Sequence, residues 1–275
     1  ITDANTLAYY IYERAPKWQP AMKEALLRLY GDVLFMPDLN EKDKFVPRIL
    51  GNETYAYSQL DFGDRIAYDH LYEDYFYNRH TMYWYREGMR KLSPLVESTT
   101  MTACGEDLGM IPDCVASVMS GEKILSLEIQ RMPKDPKQEF GNPYIYPYMC
   151  VCTTSTHDMS GIRAWWEEDR EKTQHFYNNV LQQWGEAPQF AEPWICDKIV
   201  CDHLNSPAIL TILPLQDWLS VSGDLRREYP QEEQINVPAN PFHYWRYRMH
   251  MTLEELLAQK MFNESIKDRI VNSGR

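Results

Sequence analysis

Four apolar runs in this sequence each end in a polar cluster, and those clusters are the places to look for chemistry. After Thr100 to Cys104 comes Gly105-Glu106-Asp107-Leu108-Gly109. The run from Ile124 ends in Gln130-Arg131, and the run from Met149 to Thr154 leads into Ser155-Thr156-His157-Asp158. Ala208 to Leu213 is followed by Pro214-Leu215-Gln216-Asp217. Brought to one mouth, these carboxylates, the histidine and the amides make a set suited to general acid–base work. Glu106 stands out, because glutamate is a poor helix cap and here follows an apolar strand directly. A partly desolvated carboxyl there has the raised pKa of a general acid. Asp107 and Asp158 have a plainer alternative, accepting from the free backbone N–H groups of a following helix. For His157 the plainer alternative is a core histidine with its ring nitrogens satisfied.

The elements that must position these groups follow from the pattern around them. Apolar runs alternating with helical stretches are the βαβα signature of a parallel sheet, in which ligands meet the carboxyl ends of the strands. Between the runs, Pro112 occupies a first helical position before Val115, Val118 and Met119, and Gly121 closes that helix. Ile162 to Gln183 reads as one long helix with Trp165, Trp166, Phe176, Val180 and Leu181 on its buried face, and Thr252 to Ile270 as another. The leading third differs. Helices are expected between Thr6 and Tyr30, interrupted by Pro16 and Pro20 and closed by Gly31. Leu39 to Asp64 is expected to be an irregular connection, and Ile66 to Lys91 a long amphipathic helix. The spacing therefore predicts a mainly helical segment over 1–95 and βα units over 96–275, forming one structural unit without internal repeats.

Composition narrows the function classes. The chain has 275 residues, 28 basic against 40 acidic, and a net charge of −12, which argues against nucleic acid or an anionic membrane surface as partner. No run approaches the ~20 apolar residues of a membrane span. The 8 Trp, 19 Tyr and 9 Phe exceed what a core needs and leave rings to face a flat, uncharged ligand. Six cysteines, none in a C-x-x-C pair, read as reduced thiols of a cytoplasmic protein. Asp32, Asp38 and Asp43 do not match a calcium loop. With no glycine-rich phosphate loop and no metal cluster in the pattern, no cofactor and no metal are expected.

In their order and at strand ends, Gly105-Glu106-Asp107-Leu108-Gly109, Thr156-His157-Asp158 and Pro214-Leu215-Gln216-Asp217 resemble the 4-alpha-glucanotransferases of glycoside hydrolase family 77, the amylomaltases. Glu128-Ile129-Gln130-Arg131-Met132-Pro133, Arg163-Ala164-Trp165-Trp166-Glu167-Glu168 and His243-Tyr244-Trp245-Arg246-Tyr247-Arg248 look like the branch that moves glucose from maltose onto glycogen-like polymers. The likeness runs from about Phe35 to the C-terminus. It implies a retaining double displacement on α-1,4-glucans, with Glu106 as acid/base, Asp158 as the carboxylate that strengthens its hold at the transition state, and His157 as its neighbour. Asp107, Gln130, Arg131, Gln216 and Asp217 would contact sugar. Trp165 and Trp166 would supply acceptor platforms, with core packing as their alternative. Two other readings stay open: an amylase-type hydrolase with the same carboxylates, and a glucan-binding module without catalysis.

One part of the family pattern is missing. The nucleophile is an Asp in an Arg-x-Asp-His strand motif upstream of the acid/base, and this sequence has only the misspaced Arg65-Ile66-Ala67-Tyr68-Asp69-His70. Four βα units are also half of the eight in a (β/α)8 barrel. The expectation is an α/β fold comprising the C-terminal half of a TIM barrel, strands five to eight, with a helical insertion on its N-terminal side. The nucleophile would then lie before Ile1, and the chain alone would be inactive. Its open edges would be covered by the missing N-terminal half of the barrel or by self-association.

Overall fold

The computed structural model describes residues 20–109 and 111–275, together with Thr6, Tyr9 and Glu13. The helix expected ahead of Pro16 lies largely outside the described residues. Two compact units result, one of residues 1–87 with 112–114, the other of residues 88–111 with 115–275, where the sequence led us to expect a single one.

In the first unit, helix α1 (Pro20–Tyr30) opens on Pro20, which the sequence reading had placed between helices. The amide of Gly31 closes it onto Leu27 O at 3.0 Å. The expected irregular connection contains an antiparallel hairpin, β1 (Phe35–Pro37) against β2 (Phe45–Pro47), and a short helix α2 (Tyr55–Ser58). Asp32 serves as a cap, its carboxylate accepting from the amides of Tyr55 and Ala56 at 2.8 and 3.0 Å. The single long helix expected from Ile66 is broken. Helix α3 (Phe62–Glu73) runs into a π-helical turn over Asp74–Asn78, and α4 (Thr81–Glu97) starts anew, leaves the first unit after Glu87 and continues through Pro94. The wider turn lets Phe76 sit between Tyr72 and Tyr75, with ring centroids 4.6 and 5.0 Å away. Asp69, on α3, accepts the Tyr57 hydroxyl at 2.8 Å and belongs to no strand.

The second unit holds the parallel sheet. Helix α5 (Cys114–Gly121) leads into β3 (Ser126–Ile129), which pairs in parallel with β4 (Cys150–Thr153), and β4 pairs in parallel with β5 (Leu210–Thr211). The first apolar run adds only a bridge, Cys104 to Leu125, held by Leu125 N to Ala103 O at 2.9 Å and Gly105 N to Leu125 O at 2.8 Å. Spatial order follows chain order: bridge, β3, β4, β5. Pro112 stands two residues ahead of α5 and not at its first position.

The long helix expected over 162–183 is three pieces: α6 (Ile162–Glu168), α7 (Arg170–His175) and a π-helical turn, Phe176–Val180. Asp169 makes the break. Its extended backbone (φ −143°, ψ 104°) turns its carboxylate onto the amides of Glu171 and Lys172, capping α7 at the expense of continuity with α6. The turn brings Trp166 and Phe176 onto α8 (Pro193–Leu204), where Ile195, Ile199 and Val200 complete the core. Burying each such side chain stabilises by about 1.5–3 kcal/mol. Helices α9 (Leu215–Leu219), α10 (Leu253–Ala258) and α11 (Lys260–Asn272) follow. Thr252 and Glu255 form a reciprocal capping box on α10. Among the described residues no helix is long and apolar enough to cross a membrane.

All six cysteines are free thiols. Cys150 and Cys152 share one face of β4, and burial pushes both thiols up to about 12, leaving them protonated and unreactive.

His203 closes α8. Its Nδ1–H donates to Ile199 O at 2.7 Å, while Nε2 is buried without a partner. Burial holds its pKa below the usual 6.5, so the unfolded chain binds the proton more readily. The stability linked to this neutral ring is complete above the unfolded value and is lost as pH falls through the folded one. The melting temperature is therefore expected to drop as pH falls below about 6.5, with a shallower slope for His203→Leu. Equal slopes in the two proteins would refute this role.

Candidate active site

Because the four strand positions run in one direction, their carboxyl ends share one edge, and the four polar clusters lie along it.

Glu106 is exposed, and its Oε1 accepts from the Leu108 amide at 2.8 Å. The partial desolvation expected from its position is absent. The strand before it is a single bridge at the sheet margin. His157 and Asp158 are also exposed and form a pair, Nε2 to Oδ2 3.3 Å. Asn236 fixes the pair from the other side: its Nδ2 donates to Asp158 Oδ1 at 2.6 Å, and its backbone amide to His157 O at 3.1 Å. The His157 ring stands against Trp245, with centroids 5.1 Å apart. A core role for His157 and a capping role for Asp158 are thereby set aside.

Next to His157 is a cavity of about 290 Å³ whose wall includes Thr153, Gly161, Pro214, Gln216 and Glu233. Gln216 is buried and donates from Nε2 to Glu233 O at 3.2 Å. Burial raises the Glu233 pKa above the usual carboxylate range, although Arg163 Nη1 lies 3.1 Å from Oε1 and pulls the other way. Arg163 also donates to the carbonyls of Arg227 and Glu228 at 2.7 and 3.2 Å, pinning the loop that carries Glu233 to α6.

The remaining expected site residues divide sharply. Asp217, 1% exposed, uses both oxygens inside the protein: Oδ2 accepts from the hydroxyls of Thr154 and Ser155 at 2.6 and 2.7 Å, and Oδ1 from the Ile162 amide at 2.8 Å. Buried Asp107 accepts from the Leu127 amide at 2.9 Å and from Lys134 Nζ at 2.7 Å. Lys134 also reaches Glu128 Oε1 at 2.8 Å. Arg131 ties the end of β3 to the loop after β4, its Nη2 donating to Ser160 O at 2.6 Å and Thr154 O at 3.2 Å, and its guanidinium lies 5.1 Å from the Trp165 ring centroid. Burial lowers its pKa to about 10, which leaves it charged at neutral pH. These three position the strand ends: both carboxylates are spent on protein, while Arg131 bonds through Nη2 and keeps a buried Nε without a partner. Gln130 lines a different cavity, described below.

Trp166 is fully buried, with Nε1 donating to Pro188 O at 2.9 Å, so core packing and not an acceptor platform is its role. Trp165, partly buried, packs on Phe176 and under Arg131. Both follow from the break at Asp169, which folds their helix into the core. Glu233 and Asn236 escaped the sequence reading, because neither follows an apolar run and a loop of polar residues has no periodicity to mark it. Trp245 and His157 were both visible in the sequence, but their contact was not. Among the described residues no group of three or more His, Cys, Asp or Glu is arranged to hold a metal ion.

Comparison with known proteins gives a consistent result. The profile of glycoside hydrolase family 77, described as 4-alpha-glucanotransferase, matches residues 15–253. The 4-alpha-glucanotransferase DPE2 of Oryza sativa subsp. japonica is 38% identical over 257 residues, covering 94% of this chain and 27% of the rice protein. A 4-alpha-glucanotransferase of Chlamydia muridarum is 29% identical over 182 residues, 64% of this chain and 34% of that protein. Among solved structures, an amylomaltase from Streptococcus agalactiae in complex with acarbose matches with a TM-score of 0.48 at 19% identity, over 62% of this chain and 32% of the other. The chain thus spans about a quarter to a third of the length of these relatives.

Proposed function

This chain belongs to the 4-alpha-glucanotransferase family, glycoside hydrolase family 77, and from that premise we propose that it contributes the acid/base side of a retaining glucan-transfer site. In this reading Glu106 gives its proton to the glycosidic oxygen of an α-1,4-glucan as that bond breaks. It later takes the proton from the acceptor hydroxyl that attacks the glucosyl intermediate. Asp158, aligned by His157 and Asn236, holds ring hydroxyls and gains strength as positive charge develops at the transition state. The attacking carboxylate lies outside this sequence, which has no Arg-x-Asp-His motif, and the isolated chain does not turn over.

The observation that carries the proposal is the placement of Glu106 and the supported His157–Asp158 pair on one edge of a parallel sheet, at solvent-accessible strand ends. Sequential parallel order also favours strands five to eight of a (β/α)8 barrel, whose outer edges the preceding half of the barrel, or a second copy, would cover. Donors are maltose-like glucans and acceptors glycogen-like polymers. Free thiols at all six cysteines favour a reducing, cytoplasmic setting.

The test is to incubate the full-length enzyme with maltose and glycogen and follow glucose release and chain length. Transfer frees one glucose per maltose consumed and lengthens glycogen chains. Two glucose per maltose with shortened chains would replace transferase by hydrolase, and no product from either sugar would leave a binding module.

A further inference from the structure

We propose that the second unit carries another α-glucan binding site, separate from the strand-end cavity, in which Tyr144 and the amides of Gln130, Asn142 and Asn179 receive a neutral oligosaccharide. The choice of an α-glucan as ligand rests on the function proposed above; the site itself rests on its own geometry. Its cavity of about 460 Å³ falls within the range of small-ligand sites and shares no lining residue with the cavity beside His157.

Charge selects the ligand class. Three ionised side chains line the cavity, and each is already matched. The Asp202 carboxylate pairs with Lys198, and Glu139 lies 3.0 Å from His175 Nδ1. Lys198 is already paired and so is not free for a phosphate, and both carboxylates already have a partner in the protein. What remains unspent is neutral. Gln130 is only 3% exposed, and it lines the cavity. Asn142 Oδ1 accepts from the Tyr144 amide at 3.1 Å, leaving its NH₂ group to donate, and the exposed amide of Asn179 is likewise unspent.

The apolar side is equally defined. Tyr144 presents a half-exposed ring, and it is held rigidly: its hydroxyl donates to Asp202 Oδ1 at 2.6 Å, and Lys198 Nζ lies 6.0 Å from the ring centroid. An anchored ring loses little freedom on binding. A fixed aromatic face beside amides that both donate and accept matches a pyranose, which offers an apolar ring face rimmed by hydroxyls.

The experiment is calorimetric titration of the chain with maltoheptaose. The unaltered chain and its Tyr144→Ala, Asn142→Ala and Glu106→Gln variants are compared. A binding class weakened about tenfold or more by Tyr144→Ala and by Asn142→Ala, and unchanged by Glu106→Gln, is expected. Tyr144→Phe, which keeps the ring, should retain most of that affinity. The melting temperature of each variant checks the fold, and Asn142→Ala decides the matter if Tyr144→Ala unfolds. Binding that ignores both cavity substitutions but responds to a change at Asp158 overturns the second site and leaves the transferase reading intact. A Tyr144-dependent class in a full-length protein without transfer activity upholds the site and removes that reading. No heat from maltoheptaose overturns the second site.

Discussion

Replacing Glu106 by glutamine in the full-length enzyme is expected to cut kcat for maltose by about 10²–10⁴-fold while leaving sugar affinity nearly unchanged. The substitution is isosteric and exposed, and the amide oxygen can still accept from the Leu108 N–H at 2.8 Å, so the local turn persists. What disappears is the transferable proton. The loss should depend on the leaving group. A glucosyl fluoride needs no protonation to depart, so the variant should form its glucosyl intermediate from that donor at a rate close to the unaltered enzyme's, and then stall because no base deprotonates the acceptor. Rapid-quench measurement of fluoride release separates the two steps. A variant that transfers from maltose at the normal rate would remove Glu106 from the mechanism, and equal losses with maltose and fluoride would mean that it acts by positioning alone.

Asp217→Asn is expected to destabilise the protein by about 3–5 kcal/mol, the range for breaking one partner of a buried charged network. Asp217 accepts three hydrogen bonds, from Thr154, Ser155 and Ile162, and is the main charge opposing the desolvation of Arg131. An asparagine offers one carbonyl oxygen to these three donors, and its NH₂ group faces either two hydroxyls or a backbone N–H. Arg131 is then left charged and partly buried, with Glu168 as its remaining named acidic neighbour. Urea unfolding should show the midpoint falling at unchanged slope. The accompanying drop in melting temperature is on the order of 10 °C for a chain of this size. If Asp217 contacted sugar, KM would change with stability intact, so a loss under about 0.5 kcal/mol with a raised KM would restore that role.

The contrast between these two acids shows how far residue order reaches. Glu106 and Asp217 occupy equivalent places in the sequence, each just after an apolar run, yet one is exposed and the other 1% exposed. The difference arises from what crosses above them. Helix α6 starts at Asp217 and supplies the Ile162 amide, whereas Glu106 stays exposed. Hydrophobic pattern, being a property of neighbours in sequence, encodes which face of a strand is buried; it does not encode which distant loop arrives to cover a strand end.

By itself the sequence determined the parallel direction of the sheet, the order of its strands and the family. All three depend on local patterning and on motifs read in series: apolar runs, intervening helical stretches, and the clusters around Glu106, His157 and Gln216. Only the tertiary structure decided which polar groups face solvent and which are consumed as struts. It broke the helix at Asp169 and thereby buried Trp166, brought Asn236 onto Asp158 across 78 positions, and turned Gln130 toward a second cavity. The physical reason is that a buried donor or acceptor must be satisfied by whatever lies within about 3 Å, and that neighbour is chosen by the packing of the whole unit.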